Sequence, residues 1–297
     1  MIRPESIPHW PKGVQLREKD ITDHSLKAKH EITEISGELL RHVDGKRSIQ
    51  TIVSECATKH GWPEEHVLSD FLELISNLNH HYLINIQTPF HWTTFFKDRL
   101  IALFVLLRTL QGPKWETKER KTASHQSQWA SLWQMIRVVT MVYGAYAIGI
   151  AFVTGILSFL LPVGGLHIPL LTAGSFLTGM IVHEYLHVWT FQKMTSRQFE
   201  VIIAIRRKAV QIVRPRADRK TEFWTSLSGP GIPVLTAFIL IPLLFIVPAG
   251  ELQFAIGCMA ATQIVHLLSL MPFAEDGKRI IESIKPTPLP IERKKSV

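Results

Sequence analysis

GMIVHEYLHVWTF, residues 179–191, sets two histidines and a glutamate inside an otherwise apolar run. Whether that run lies in a bilayer decides the fold, because ionisable side chains in hydrocarbon are costly and are kept there for function. Four stretches approach the roughly 20 apolar residues that a membrane helix needs: 133–163, 168–190, 233–247 and 252–273, the third being the shortest. Composition agrees with this reading. The 297 residues are 46% hydrophobic with a formal charge of +8, and the mean hydropathy is slightly positive. The basic residues cluster beside the apolar runs instead of forming one stripe, which suits membrane flanks and argues against nucleic acid as a partner.

Charge distribution orients the spans. The connections PVGGLHI and PAGE carry no Lys or Arg, whereas 193–220 and the tail, with Lys278, Arg279, Lys285 and RKK, are rich in them. The positive-inside rule therefore predicts a multi-pass cell-membrane protein with both termini and the middle loop in the cytoplasm. The second and fourth spans then run inward, so His183, His187 and Asp276 reach one depth although about 90 residues separate them.

On a helix, positions i and i+4 share a face, so His183 and His187 can offer two imidazole nitrogens to one zinc ion with Glu184 beside it. A zinc site of this kind takes a third protein ligand and keeps a place for water. Asp276, in LMPFAEDGKRI, is the acidic residue at the right depth, and Gly277 after it permits a sharp turn. Zinc would acidify water, and Glu184 would take the proton and pass it to a leaving amine.

At these residues, about 132–281 of the chain resembles the site-2 protease family of intramembrane zinc metalloproteases. The matching features are HEYLH, the Asp276-Gly277 pair preceded by Pro272, and Gly229-Pro230 in LSGPGIP. The resemblance implies peptide-bond hydrolysis within or near the membrane, with zinc held by His183, His187 and Asp276. Two departures stand out: Ser269 occupies the place where many members carry an Asn that holds substrate, and the Pro-to-Asp spacing is one residue short. His266, about three turns before Asp276, is a second candidate substrate contact or else a structural interhelical bond. FEVIIAIRRKAVQIVRP, 199–215, alternates as a β-hairpin. It would hold substrate by strand addition, with Phe199 and Ile203 as candidate contacts, or would sit on anionic lipid through Arg206, Arg207 and Lys208.

The remainder is polar. Residues 1–87 show short strands at GVQLR and KAKHEITEIS and three helical patterns: GELLRHV; IQTIVSECATKHG, capped by Ser48; and PEEHVLSDFLELISNLNHH. Strands with three helices predict a small α+β, winged-helix-like domain. Through LLRHVDGKRSIQTIV this region resembles PqqD-type peptide-recognition modules of ribosomally made, modified peptides. That implies a leader peptide bound as an added strand near His30–Ile35, against a face holding Val67, Phe71 and Ile75; Ile35 and Phe71 are the candidate contacts. DNA binding is disfavoured by the acidic third helix. Between the halves, residues 88–131 read as an interfacial helix over 88–115 followed by a charged linker, ETKERKTASHQSQ; residues 282–297 form a basic tail. Cys56 and Cys258 suggest neither a disulfide framework nor a thiolate metal site, and MIRPESIPHWPKG has no apolar core of a secretory signal.

The expected whole is therefore an α-helical multi-pass membrane protein of about four spans with an N-terminal α+β domain. Its expected partners are the lipid bilayer and a peptide or protein substrate, foremost a leader-bearing precursor peptide. The alternatives are a regulatory protease cutting a membrane-anchored transcription factor and a non-enzymatic peptide-binding or immunity protein.

Overall fold

The computed structural model describes residues 2–91, 97, 116–123, 127–161, 165–197, 199–206 and 209–285. Apart from Lys97, the interfacial helix expected over 88–115 lies outside them from residue 92 onward, as do Arg207, Lys208 and the basic tail from 286.

In the polar N-terminal part, strands β1 (Ile7–His9), β2 (Val14–Leu16), β3 (Asp20–Asp23) and β4 (Ala28–Glu31) precede helices α1 (Glu34–Arg41), α2 (Ile49–His60) and α3 (Glu64–His80), and β5 (Asn85–Gln87) follows. β5 returns antiparallel to β1, and β2, β3 and β4 form an antiparallel sheet in that order. Side-chain oxygens of Thr33 and Ser48 cap α1 and α2 by accepting from Ser36 N and Thr51 N, so two orphan amide donors are satisfied where the sequence supplies a hydroxyl. One apolar core joins these elements, with Ile21, Leu40, Ile52, Phe71 and Ile75 wholly buried. Phe71 thus lies in the core and does not line a groove. Ile35 is 62% exposed, and β4, beside it, has β3 as its one sheet neighbour among the described residues.

The charged linker contains structure. Within it, β6 (Thr117–Thr122) pairs antiparallel with β7 (Ile202–Arg206), which pairs in turn with β8 (Val210–Val213). The expected hairpin is therefore β7 and β8, and β6 completes a three-stranded sheet. β6 also ties that sheet to the N-terminal part. The Thr117 amide donates to Asn79 Oδ1 at 2.9 Å, and the Asn79 side-chain amide donates back to the Thr117 carbonyl at 2.9 Å. Arg120 reaches Asp23 through two bonds of 2.7 and 2.8 Å, with both side chains almost wholly buried. Charge misled the reading of TKERKT: two of its six residues, Thr117 and Arg120, point inward, and one of them is an arginine whose partner lies 97 positions away.

The apolar half consists of α4 (Gln128–Leu160), α5 (His167–Met194), α6 (Arg219–Ile246) and α7 (Glu251–Ile264), then a 3-10 turn (Val265–Leu270) and α8 (Glu275–Ile284). Three of these segments are long and apolar enough to cross a membrane: Gln128–Leu160, Arg219–Ile246 and Glu251–Leu270. The HEYLH helix α5 has the length, 28 residues, but its two imidazoles and carboxylate dilute its apolarity below the others. α6 begins 14 residues before the expected 233, because Gly229, Pro230 and Pro233 read as breakers yet sit inside the helix. Interior prolines are tolerated in a bundle where neighbours satisfy the freed carbonyls. α5 packs against α4, α6 and α7, which makes the HEYLH helix the centre of the bundle. Large apolar side chains on the outer helices, among them Ile148, Phe152, Phe238 and Phe245, are mostly exposed. At one end of α5, Val188 and Phe191 pack with Val139 of α4 and with Ile203 and Ile205 of β7. That cluster fixes the sheet against the helix carrying the two histidines.

Candidate metal centre

His183, Glu184 and His187 occupy consecutive turns of α5, and each is more than nine-tenths buried. Asp276, in the first turn of α8, faces the two histidines: its carboxylate oxygens lie 3.5 Å from His183 Nε2 and 3.4 Å from His187 Nε2, and the two Nε2 atoms are 3.2 Å apart. Zinc bonds to nitrogen and oxygen of about 2.0–2.1 Å arranged tetrahedrally require ligand atoms about 3.3 Å from one another. The edge between the two imidazole nitrogens matches that figure, and Asp276 meets each nitrogen at a similar distance through a different carboxylate oxygen. Among the described residues this is the one cluster of three such donors.

The hydrogen-bonding of the rings agrees with a ligand role. A carbonyl can only accept, so the 2.7 Å contact between His187 Nδ1 and the Thr225 carbonyl places the proton on Nδ1 and leaves the Nε2 lone pair directed at the cluster. His183 Nδ1 lies 3.0 Å from His266 Nδ1; with His183 Nε2 serving as ligand, His183 donates and His266 accepts. Burial pushes the Asp276 carboxyl up, but the facing His187 and His183 outweigh it and hold Asp276 well below the usual carboxylate range. Two imidazole acceptors and a carboxylate converge in one buried place and could hold a cation; the donor set is one that zinc favours.

Two glycines make the approach possible. A Cβ on Gly277 would lie 2.1 Å from the Met271 carbonyl oxygen, so only glycine lets α8 start close enough to the 3-10 turn to carry Asp276 inward. A Cβ on Gly229 would lie 2.3 Å from His187 Nε2. Gly229→Ala is therefore expected to displace the His187 ring and to weaken zinc binding about 10–100-fold, the range seen when the support of a ligand is lost. A zinc competition titration checks this, and unchanged affinity would show that α6 moves aside.

A cavity of about 110 Å³ opens beside the cluster. It is lined by His183, Glu184, His187 and Asp276, by Val210, Gln211 and Ile212 of β8, and by Arg214, Glu275 and Arg279. β8 has β7 as its one sheet neighbour among the described residues. The ladder alternates, and Arg206 N bonds to the Ala209 carbonyl, so the main-chain groups of Val210 and Ile212 point away from β7. Consistent with this, Val210 N donates to the Tyr143 hydroxyl at 3.2 Å. Gln211 donates to Glu275 at 2.9 Å, clamping the strand to the turn that carries Asp276.

The remaining expected site residues lie elsewhere. Ile203 is wholly buried in the central strand β7, between β6 and β8. Phe199 packs near Phe191, their rings 6.5 Å apart, and does not line the cavity. Ser269 is half-buried in the 3-10 turn and is likewise not part of the lining. His266 sits behind His183, where it orients the ring and does not face the cavity. The sequence placed β8 within the 199–215 hairpin but did not single out Val210, Gln211 and Ile212 as the cavity-lining residues: they carry no chemical signature, and their importance comes from the strand order.

No family model, no curated protein and no solved structure matches the chain.

Proposed function

We propose that this chain is an intramembrane zinc metalloprotease that cuts a peptide bond near the cytoplasmic face of the membrane. The carrying observation is the convergence of His183, His187 and Asp276 at zinc-like spacing, with Glu184 and the edge strand β8 on the same small cavity. Zinc held there would polarise the scissile carbonyl and make water acidic enough to attack at neutral pH. Glu184, bordering the cavity from the same helix, takes the proton from the attacking water and delivers it to the leaving amine. A helical substrate hides its scissile bond inside its own hydrogen bonds; β8 offers main-chain groups on which it can be held extended. The resemblance to site-2 proteases at HEYLH, Gly229-Pro230 and Asp276-Gly277 supports the same reading.

The N-terminal part, by its resemblance to PqqD-type modules, is the place where a leader-bearing precursor is captured, which makes the reaction a step in maturing a ribosomally made, modified peptide. Its hydrogen-bonded attachment through β6 to the sheet that borders the cavity favours this over an independent sensor domain. Holding the leader on the same chain raises the effective concentration of the cleavage segment at the metal. In this reading α5 is a fourth span, and the Arg- and Lys-rich loop between α5 and α6 lies with both termini in the cytoplasm.

The test is zinc content together with cleavage of leader-bearing precursor peptides by the full chain in nanodiscs. About one zinc per chain and a single cut are expected. A chain that binds no zinc under metal-replete conditions sinks the ligand assignment, and zinc without cleavage of any peptide leaves a binding protein.

A further inference from the structure

A second and larger cavity, of about 410 Å³, adjoins the metal cavity. Arg214 and Arg279 line both. The larger one is also lined by Arg216 and Arg219, against two glutamates, Glu222 and Glu282. Four guanidinium groups and two carboxylates thus line a pocket whose size falls within the range of about 300–1,000 Å³ common for ligand sites.

The Glu222 carboxylate is shared between cations. Arg214 Nη1 donates to Glu222 Oε1 at 2.6 Å, and Arg279 Nη1 lies 3.7 Å from Glu222 Oε2, so one carboxylate serves two cations. Arg279 Nη2 also donates to Glu275 at 2.8 Å. The Arg214 side chain is 4% exposed and its guanidinium lies over the Phe191 ring, 5.0 Å from the centroid. A guanidinium has five donors in a planar fork, and a buried, pre-oriented one is suited to a carboxylate. The chain direction supplies the connection to substrate. β8 runs Val210–Val213 past the metal cavity and continues directly into Arg214 and Arg216, so an extended peptide on its outer edge would leave the metal cavity and enter the arginine cavity.

We propose that this arginine cavity binds a carboxylate of the peptide substrate, about two to four residues from the bond that is cut, at the roughly 3.3 Å per residue of an extended strand. The inference rests on the protease reading of the metal centre and names its substrate preference. The carboxylate belongs to an acidic side chain or to a free C-terminus. An anionic lipid headgroup is the competing occupant; the shared wall with the metal cavity favours the peptide.

Binding can be measured without turnover. Fluorescent seven-residue peptides of β-forming sequence are titrated by anisotropy against the full chain carrying Glu184→Gln, in nanodiscs of neutral lipid. Three peptides distinguish the sources: Asp in the sequence with an amidated end, Asn with a free carboxylate end, and Asn with an amidated end. At least one carboxylate peptide is expected to bind about tenfold or more tightly than the fully amidated Asn peptide, equivalent to about 1.4 kcal/mol. Arg279→Gln and, separately, the exposed-site variant Arg216→Gln are expected to erase that preference. Arg214→Gln is the less clean variant, since it also removes packing on Phe191. Equal binding of all three peptides overturns the proposal. So does a result in which the arginine variants change only attachment to nanodiscs containing phosphatidylserine, which would assign the cavity to lipid. Cleavage of the same peptides by the wild-type chain is scored separately: a carboxylate preference without cleavage retains the anion site and removes the protease reading, whereas cleavage without the preference does the reverse.

Discussion

Glu184→Gln is expected to bind zinc as the wild type does and to cut its substrate about 10²–10⁴-fold more slowly, the usual contribution of a positioned general acid–base. The substitution keeps the shape of a side chain that is 8% exposed, so packing within α5 changes little. It removes the group that can take a proton from water and return it to the leaving amine. Zinc is unaffected in this account because the three donor atoms belong to His183, His187 and Asp276. Two comparisons check the result: metal content by elemental analysis, and cleavage rate under single-turnover conditions. A variant that loses its zinc would make Glu184 a structural or ligating residue. A variant that cuts within about tenfold of wild type would leave the catalytic proton transfer without a residue, since general acid–base catalysis contributes more than that.

The convergence of His183, His187 and Asp276 was legible because its residues are local in sequence at one end and marked by an unusual pair at the other. HEYLH places two imidazoles on one helix face with Glu184 beside them by periodicity alone, and Asp276-Gly277 marks the turn that meets them. The helices α2 and α3 were legible for a similar reason, each with a hydrophobic stripe and a recognisable start. What escaped the sequence was set by partners far along the chain. β6 reads as a solvated charge run because nothing near TKERKT reveals that Arg120 meets Asp23. Phe71 and Ile203 looked like surfaces for a peptide because an apolar face does not state whether the protein or a ligand covers it; in the fold, the protein covers both. The early start of α6 was hidden by Gly229, Pro230 and Pro233, whose usual meaning as breakers is overridden where His187 requires a backbone with no Cβ against it.

The Arg120–Asp23 pair has the second large expected effect. Replacing Arg120 with Met is expected to destabilise the attachment of the N-terminal part by about 3–5 kcal/mol, since removing one member of a buried ion pair strands the other in a place closed to water. Asp23 would keep only the amides of Ser25 and Leu26, at 3.0 and 3.2 Å, and the Tyr82 carbonyl would lose the 2.9 Å bond from Arg120. The double variant Arg120→Met with Asp23→Leu is expected to recover much of the loss, because apolar groups of similar volume can replace a buried pair at little net cost. Trypsin resistance of the full chain across a urea series measures both. A single variant within about 1 kcal/mol of wild type, the scale of an exposed pair, would show that water reaches Asp23. The pair also has a functional readout that separates stability from coupling. β6 joins the N-terminal part to β7, and β8, next in the sheet, borders the metal cavity. If that joint delivers captured substrate, Arg120→Met should slow cleavage of leader-bearing peptides far more than cleavage of short peptides without a leader, with zinc content unchanged. Equal slowing of both substrates would mean that β6 only props the sheet behind the metal, and that the N-terminal part acts without a rigid connection to the site.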